Sequence, residues 1–189
     1  GRTLAAVLAY LMVRQHDAPG LIVFGAESRQ AAPALSTRHH ADEIFQLLTH
    51  AQAGGRTIID PSLFHLTQTI TRAGLAVVIT DFLGAENACG ELLRQLHSQG
   101  QEVLVFHLMA PEELDLPYDG ELIIEDSETL EEIPVHAESF REEYQRRVSE
   151  FCDRVRKLCA SYEIDYQRLR TDSPLDVAMM SYLDKRAAQ

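Results

Sequence analysis

Asp81 follows directly on an apolar, β-branched run, Val77 to Thr80, within the stretch VVITDFLG. A strand therefore delivers a carboxylate at its C-terminal end. One plain use for such an acid is to cap the next helix or to bond turn amides. The other is to hold a ligand, and that needs partners. Thr57 stands just behind Gly54-Gly55, in the loop before another helix. If the two loops rise at the same sheet edge, a hydroxyl and a carboxylate converge. Hard oxygen ligands of that kind suit Mg²⁺ or Ca²⁺ rather than zinc. Asp60 and Glu86 are near in sequence, but each opens an expected helix and reads as a cap or dipole partner. His39 and His40 are adjacent on an expected helix, point in different directions and are expected at the surface. The sequence contains no GxGxxG, GxxxxGKS/T, GxSxG or HExxH motif. No catalytic residue and no nucleotide-binding residue is therefore assigned.

Several elements must position these residues. Residues 3–15 read as a helix that is apolar on almost every side, and such a helix is expected to be buried. A short strand over Leu21–Gly25 and a weaker extended stretch over Ser28–Ala32 follow. A helix capped by Ser36 or Thr37 carries Ile44, Leu47 and Leu48 inward. Another opens at Asp60-Pro61 and stops at Gly74. LAVVITDF is continuous rather than alternating, which predicts a central parallel strand covered on both faces. ENACGELLRQLHSQG is a helix and EVLVFHLM a second continuous strand, completing a βαβ unit. After Pro111 two short extended runs, 121–125 and 132–136, predict a β-hairpin insertion within about 111–137. A long helix then runs from about Phe140 to Tyr162, with apolar residues at steps of three or four. Residues 164–170 form a last strand, and Ser173-Pro174 open a last helix. The expected fold is one α/β domain over 1–189, an open, mostly parallel sheet with helices on both faces. In such sheets ligands sit outside the carboxyl ends of the strands, where Asp81 falls.

The totals narrow the function classes. The chain has 189 residues, 46% of them hydrophobic, in the range of a globular domain. Its net charge of -12 disfavours nucleic acid and suits a basic protein partner. No apolar run reaches the roughly 18 residues of a membrane span, and Leu4–Val13 lacks the flanks of a secretory leader. Three cysteines without a CxxC, with Cys152 and Cys159 on one helix face, predict reduced core thiols and a cytoplasmic location.

The order of segments resembles the von Willebrand factor A-like (vWA) proteins of the domain of unknown function 58 family, bacterial companions of MoxR-type AAA+ ATPases. The resemblance rests on HDAPGLIVFG, GGRTIIDPSLFHL, AGLAVVITDFLG, GQEVLVFHLMAPEELDLPYDG and YEIDYQRLRTDSPLDVAMMSYLDKR, in that order. It implies a Rossmann-like vWA fold with a metal-ion-dependent adhesion site. Thr57 matches the second-loop threonine of that site and Asp81 the third-loop aspartate. The first-loop DxSxS motif is missing from this sequence. Its strand is expected between the Leu21 and Leu75 strands. The sequence is accordingly expected to be a piece of a longer protein, with another segment or a second copy of the chain filling the gap, or else a divergent member with a rearranged sheet. Thr57 and Asp81 make a partial site, with no cofactor held by this chain and Mg²⁺ bound in a complete protein.

The expected function is a non-enzymatic interaction module whose partner is a MoxR-type AAA+ ATPase. The alternative is a metal-dependent hydrolase or phosphatase using Asp81. A third reading is a structural domain that supports oligomerisation.

Overall fold

The structure, a computed structural model, describes residues 1–24, 30–51, 70, 72–125 and 132–174. Thr57, Asp60, the helix expected after Pro61 and the body of the helix expected after Pro174 lie outside the described residues. The chain divides into two compact units, Gly1–Ala73 with Phe82–Gln95, and Gly74–Asp81 with Leu96–Gln189.

In the first unit, helix α1 (Arg2–Arg14) and helix α2 (Arg38–His50) pack together beside a short antiparallel pair, β1 (Leu21–Val23) and β2 (Gln30–Ala32). Ala9, Ala32, Ile44 and Leu48 form the core, with Ala5, Ala6, Leu21, Phe45 and Leu47 against it. Ala5, Ala6 and Ala9 are the α1 residues in or against this core, and the helix buries only one side. Leu4 and Ala9 are buried, but Tyr10 is 49% and Leu11 41% exposed. This corrects the expectation of a helix buried all round. Thr37 caps α2, its hydroxyl accepting from the His40 N–H at 3.2 Å. His40 is buried, which corrects the expected surface role, while His39 is exposed. The His40 ring meets the Pro19 carbonyl and the Glu43 carboxylate, each at 3.0 Å, and so ties the start of α2 to the turn before β1. At that turn a Cβ on Gly20 would lie 3.2 Å from the Ala32 carbonyl oxygen, tighter than most side chains reach.

In the second unit, β3 (Leu75–Thr80), β4 (Glu102–Met109) and β7 (Asp165–Arg170) form a parallel sheet in the order β3-β4-β7. Helix α3 (Glu86–Ser98), which up to Gln95 belongs to the first unit, connects β3 to β4 in sequence, and Cys89, Leu92, Leu93 and Leu96 on it are buried. The centre of this sheet is β4, where the five residues Val103 to His107 are all buried. A continuous run of apolar residues suits a strand covered on both faces. The similar run in β3 occupies an edge among the described strands, and there only Val78 is buried and Leu75 is 39% exposed. LAVVIT was expected to be central beside a strand that this sequence lacks, and among the described strands it pairs with β4 alone. Among the described residues the strands form three separate sheets, so the expected open parallel sheet is seen in part, as β3-β4-β7. The architecture is mixed α/β around a three-stranded parallel sheet.

Past β4, the short helix α4 (Pro111–Asp115) leads to the hairpin β5 (Glu121–Glu125) and β6 (Glu132–His136), with the bounds expected from sequence. Helix α5 (Ala137–Ser161) packs on β7 and α4. Its buried stripe of Cys152, Val155 and Cys159 follows the helical period, and all three cysteines are free and buried. Arg141 on α5 ties down the loop after α4, donating to the Leu116 and Tyr118 carbonyls and to the Asp119 carboxylate, the first at 3.2 Å and the last at 2.7 Å.

Candidate functional site

Asp81 stands one residue beyond β3, at the carboxyl end of the parallel sheet, and its side chain is exposed. It lies four residues before position 85, which precedes α3, so it is not that helix's N-cap residue. Glu86 does occupy the first turn of α3, as its reading as a dipole partner requires. The chain turns sharply after Asp81. Phe82 has a φ of 61°, a left-handed conformation that is uncommon for an aromatic residue, and it is fully buried.

The register pairs Thr80 with His107 on β4. His107 is fully buried, and its Nε2 lies 3.1 Å from the Asp81 backbone carbonyl. Its Nδ1 lies 2.7 Å from the Tyr166 hydroxyl on β7. The partners decide the tautomer. A carbonyl oxygen only accepts, so Nε2 carries the proton and donates to it. Nδ1 is then the acceptor, and Tyr166 donates its hydroxyl proton. The rings of Phe151 and Tyr166 meet the imidazole edge-on, at centroid distances of 5.5 and 5.8 Å. Burial is the main cause that holds the His107 pKa below its ordinary value. The Asp81 carbonyl bond and the Asp81 charge oppose that shift, and the Arg168 charge adds to it. Burial also pushes the Tyr166 hydroxyl above the usual phenol range, with the nearby Cys152 adding to the effect. Both groups are thus neutral near pH 7, and they hold the main chain at Asp81 without placing a charge beneath it. Burial pushes the Cys159 thiol up to about 11, which makes it a poor nucleophile.

His107 and Tyr166 were not singled out from sequence. A signal existed in EVLVFHLM, where one histidine interrupts the otherwise apolar run Val103–Met109. A buried polar ring needs hydrogen-bond partners. Nothing in one sequence says that one of them is a tyrosine 59 positions away.

Among the described residues no group of three or more His, Cys, Asp and Glu side chains is placed to hold a metal ion. The Asp81 carboxylate is a hard oxygen ligand, but one such ligand does not by itself make a Mg²⁺ site. Thr57, the second expected ligand, lies outside the described residues. At the carboxyl ends of β4 and β7, Arg170 pairs with Asp115 at 2.9 Å and with Asp172 at 3.1 Å. These groups are about half exposed and read as a surface ion-pair network.

These observations define a mixed α/β protein with an exposed acid presented at the carboxyl edge of a parallel sheet. The chain belongs to the family described as protein of unknown function DUF58, whose model matches residues 2–152. The uncharacterized protein Mb1516 of Mycobacterium bovis is 27% identical over 128 residues, 66% of this chain and 40% of that protein. The uncharacterized protein MAV169 of Mycobacterium avium is 29% identical over 103 residues, 51% of this chain and 58% of that protein. The chain therefore spans only about two-fifths to three-fifths of these curated relatives. Two solved structures share its fold. The conserved hypothetical protein BatB from Bacteroides thetaiotaomicron matches with a TM-score of 0.54 at 17% identity, covering 100% of this chain and 87% of that one. An aerotolerance-related membrane protein from Bacteroides fragilis, with multiple mutations to serines, matches with a TM-score of 0.52 at 17% identity, covering 95% and 85%. Among the described residues no helix is long and apolar enough to cross a membrane.

Proposed function

We propose that this chain is a vWA-type interaction module. It works, on the cytoplasmic side, with a MoxR-type AAA+ ATPase in the assembly or maturation of other proteins. One observation carries the reading. The exposed Asp81 carboxylate stands at the carboxyl end of a parallel strand, on a main chain held from below by the buried His107. A carboxylate placed this way contacts a partner directly, because its backbone is ordered before the partner arrives and little entropy is lost on binding. Mg²⁺ enters the proposal only for a whole protein that completes the ligand set around Thr57 and Asp81. Membership of the DUF58 family supports the reading, as does the match of Asp81 to the third-loop aspartate of the resemblance.

The test uses the full-length protein, tagged and purified from cells that also contain a MoxR-type ATPase. The wild-type protein is expected to retain that ATPase. Asp81→Ala is expected to retain about tenfold less, with an unchanged circular dichroism spectrum. If the wild type recovers no AAA+ ATPase, the reading fails. Mg²⁺-dependent hydrolysis of small phosphate esters, lost in Asp81→Asn, would replace it with the hydrolase alternative.

A further inference from the structure

The hairpin β5–β6 carries exposed apolar surface. Ile123 is 68% and Ile133 58% exposed. Residues directly opposite in an antiparallel pair share a face. Leu122 and Val135 are opposite each other and half-buried, so theirs is the inner face. Ile123 and Pro134 are opposite each other and exposed, with Glu121 and His136 beside them on the same outer face.

The two edges of the hairpin differ. The Ala137 N–H donates to the Gly120 carbonyl at 2.8 Å, which marks these two as a hydrogen-bonded pair continuing the β5–β6 register. Bonded and non-bonded pairs alternate along an antiparallel ladder. Glu121, Ile123 and Glu125 are therefore non-bonded positions whose backbone N–H and C=O groups point away from β6. Glu132, Pro134 and His136 point theirs away from β5. Pro134 has no N–H, so the outer edge of β6 is interrupted at its middle. The outer edge of β5 has no such interruption. Among the described residues no strand pairs with β5 other than β6, so a strand arriving from outside finds a complete donor–acceptor row on β5 alone.

Charge selects the visitor. From Glu112 to Glu132 the sequence holds ten acids and no Lys, Arg or His; Asp115 and Asp119 are paired with Arg170 and Arg141, which leaves a surplus of acids. Glu121 and Glu132 are exposed. A second copy of the chain would bring the same acidic hairpin and be repelled, whereas a cationic segment is attracted. We propose that β5 is a docking edge for an extended, lysine- or arginine-bearing segment of a partner protein, which adds to the hairpin as a third strand. Main-chain bonds supply affinity, Ile123 receives an apolar side chain, and the acids select cations around it. A two-stranded sheet is marginal by itself, so a third strand also steadies the hairpin. The proposal does not rest on the reading of Asp81.

The experiment uses the whole chain and a fluorescent seven-residue peptide of alternating lysine and valine. Anisotropy is expected to show saturable binding that weakens as salt rises. Hydrogen exchange is expected to slow at the amides of Glu121, Ile123 and Glu125. Ile123→Pro removes an outward donor and no bond of the β5–β6 ladder, and is expected to weaken binding at least about tenfold. Ile123→Thr keeps the donor and the strand preference and loses only apolar contact, so a loss of a few fold is expected. Equal affinity for a peptide of alternating glutamate and valine overturns the proposal. Protection confined to other strands does so too, as does unchanged binding in both variants. β5 protection that grows with the chain's own concentration also overturns it, because a second copy would then occupy the edge. If Ile123→Pro disrupts the hairpin, unchanged binding by Ile123→Thr is decisive against the proposal.

Discussion

His107→Ala is expected to lower the unfolding free energy by about 3 kcal/mol, the sum of a cavity and two broken hydrogen bonds. The ring is fully buried between Tyr166 and Phe151, so its removal leaves a hole that β4 and α5 cannot readily close. The Asp81 carbonyl and the Tyr166 hydroxyl each lose their bond to the ring. His107→Gln separates these effects, because an amide has one donor end for Asp81 and one acceptor end for Tyr166. Its expected cost is about 1 kcal/mol. The same pair of variants tests a pH dependence. The folded-state pKa of His107 lies below its ordinary value of 6.5, so the unfolded chain takes up the proton more readily. The stability this group contributes is complete above pH 6.5 and is lost as pH falls from there towards the folded-state pKa. Urea unfolding at a series of pH values is expected to show this acid-side loss in the wild type and a smaller one in His107→Gln. Identical pH profiles would mean that folding does not lower the His107 pKa, and the account of a ring kept neutral by burial would be wrong.

Phe106→Ala is expected to cost more, about 4 kcal/mol. Phe106 neighbours His107 and points to the opposite face of β4, and it too is fully buried. It sits at the middle strand of the sheet, paired on one side with Ile79 and on the other with Gln167. Any shift that refills the space disturbs both pairings. Thermal unfolding is expected to fall by roughly 10 °C or more for a chain of this size. A loss below about 1 kcal/mol would show that this face of β4 repacks freely, contrary to the close packing of protein interiors.

The sequence was most legible where one period ran long enough to exclude the others. The long helix came from such a run, expected from about Phe140 to Tyr162 and found over Ala137–Ser161, as did the bare existence of β3 and β4, while the β5 and β6 bounds came from two short extended runs on either side of a turn-rich segment. Their ranks were not legible. LAVVIT and EVLVFHLM look equally central as strings, but burial depends on neighbours in the sheet, and β4 has two among the described strands where β3 has one. Residues 2–14 misled for a related reason. Small alanines raise apolar content without filling volume, so α1 meets α2 on one side and leaves Tyr10 and Leu11 in water. Asp81 was legible as an acid at a strand end, because strand and turn signals meet there. Its support was not, since the hydrogen bonds through His107 to Tyr166 join three strands that only folding brings together. Thr57, the other expected ligand, lies outside the described residues.

The same three strands set an order of assembly. In the β3–β4 pair, Leu75 meets Glu102, 102 − 75 = 27 positions apart. In the β4–β7 pair, Leu104 meets Asp165, 165 − 104 = 61 positions apart. By loop-closure entropy the longer connection costs about 0.7 kcal/mol more to close. The first pairing is the cheaper nucleus, and β7 joins a template that already exists. Substitutions in β3 are therefore expected to slow refolding, and those in β7 to speed unfolding instead. Tyr166 lies on β7, so the His107–Tyr166 bond closes at the end of folding, and the main chain beneath Asp81 becomes fully held only in the finished protein.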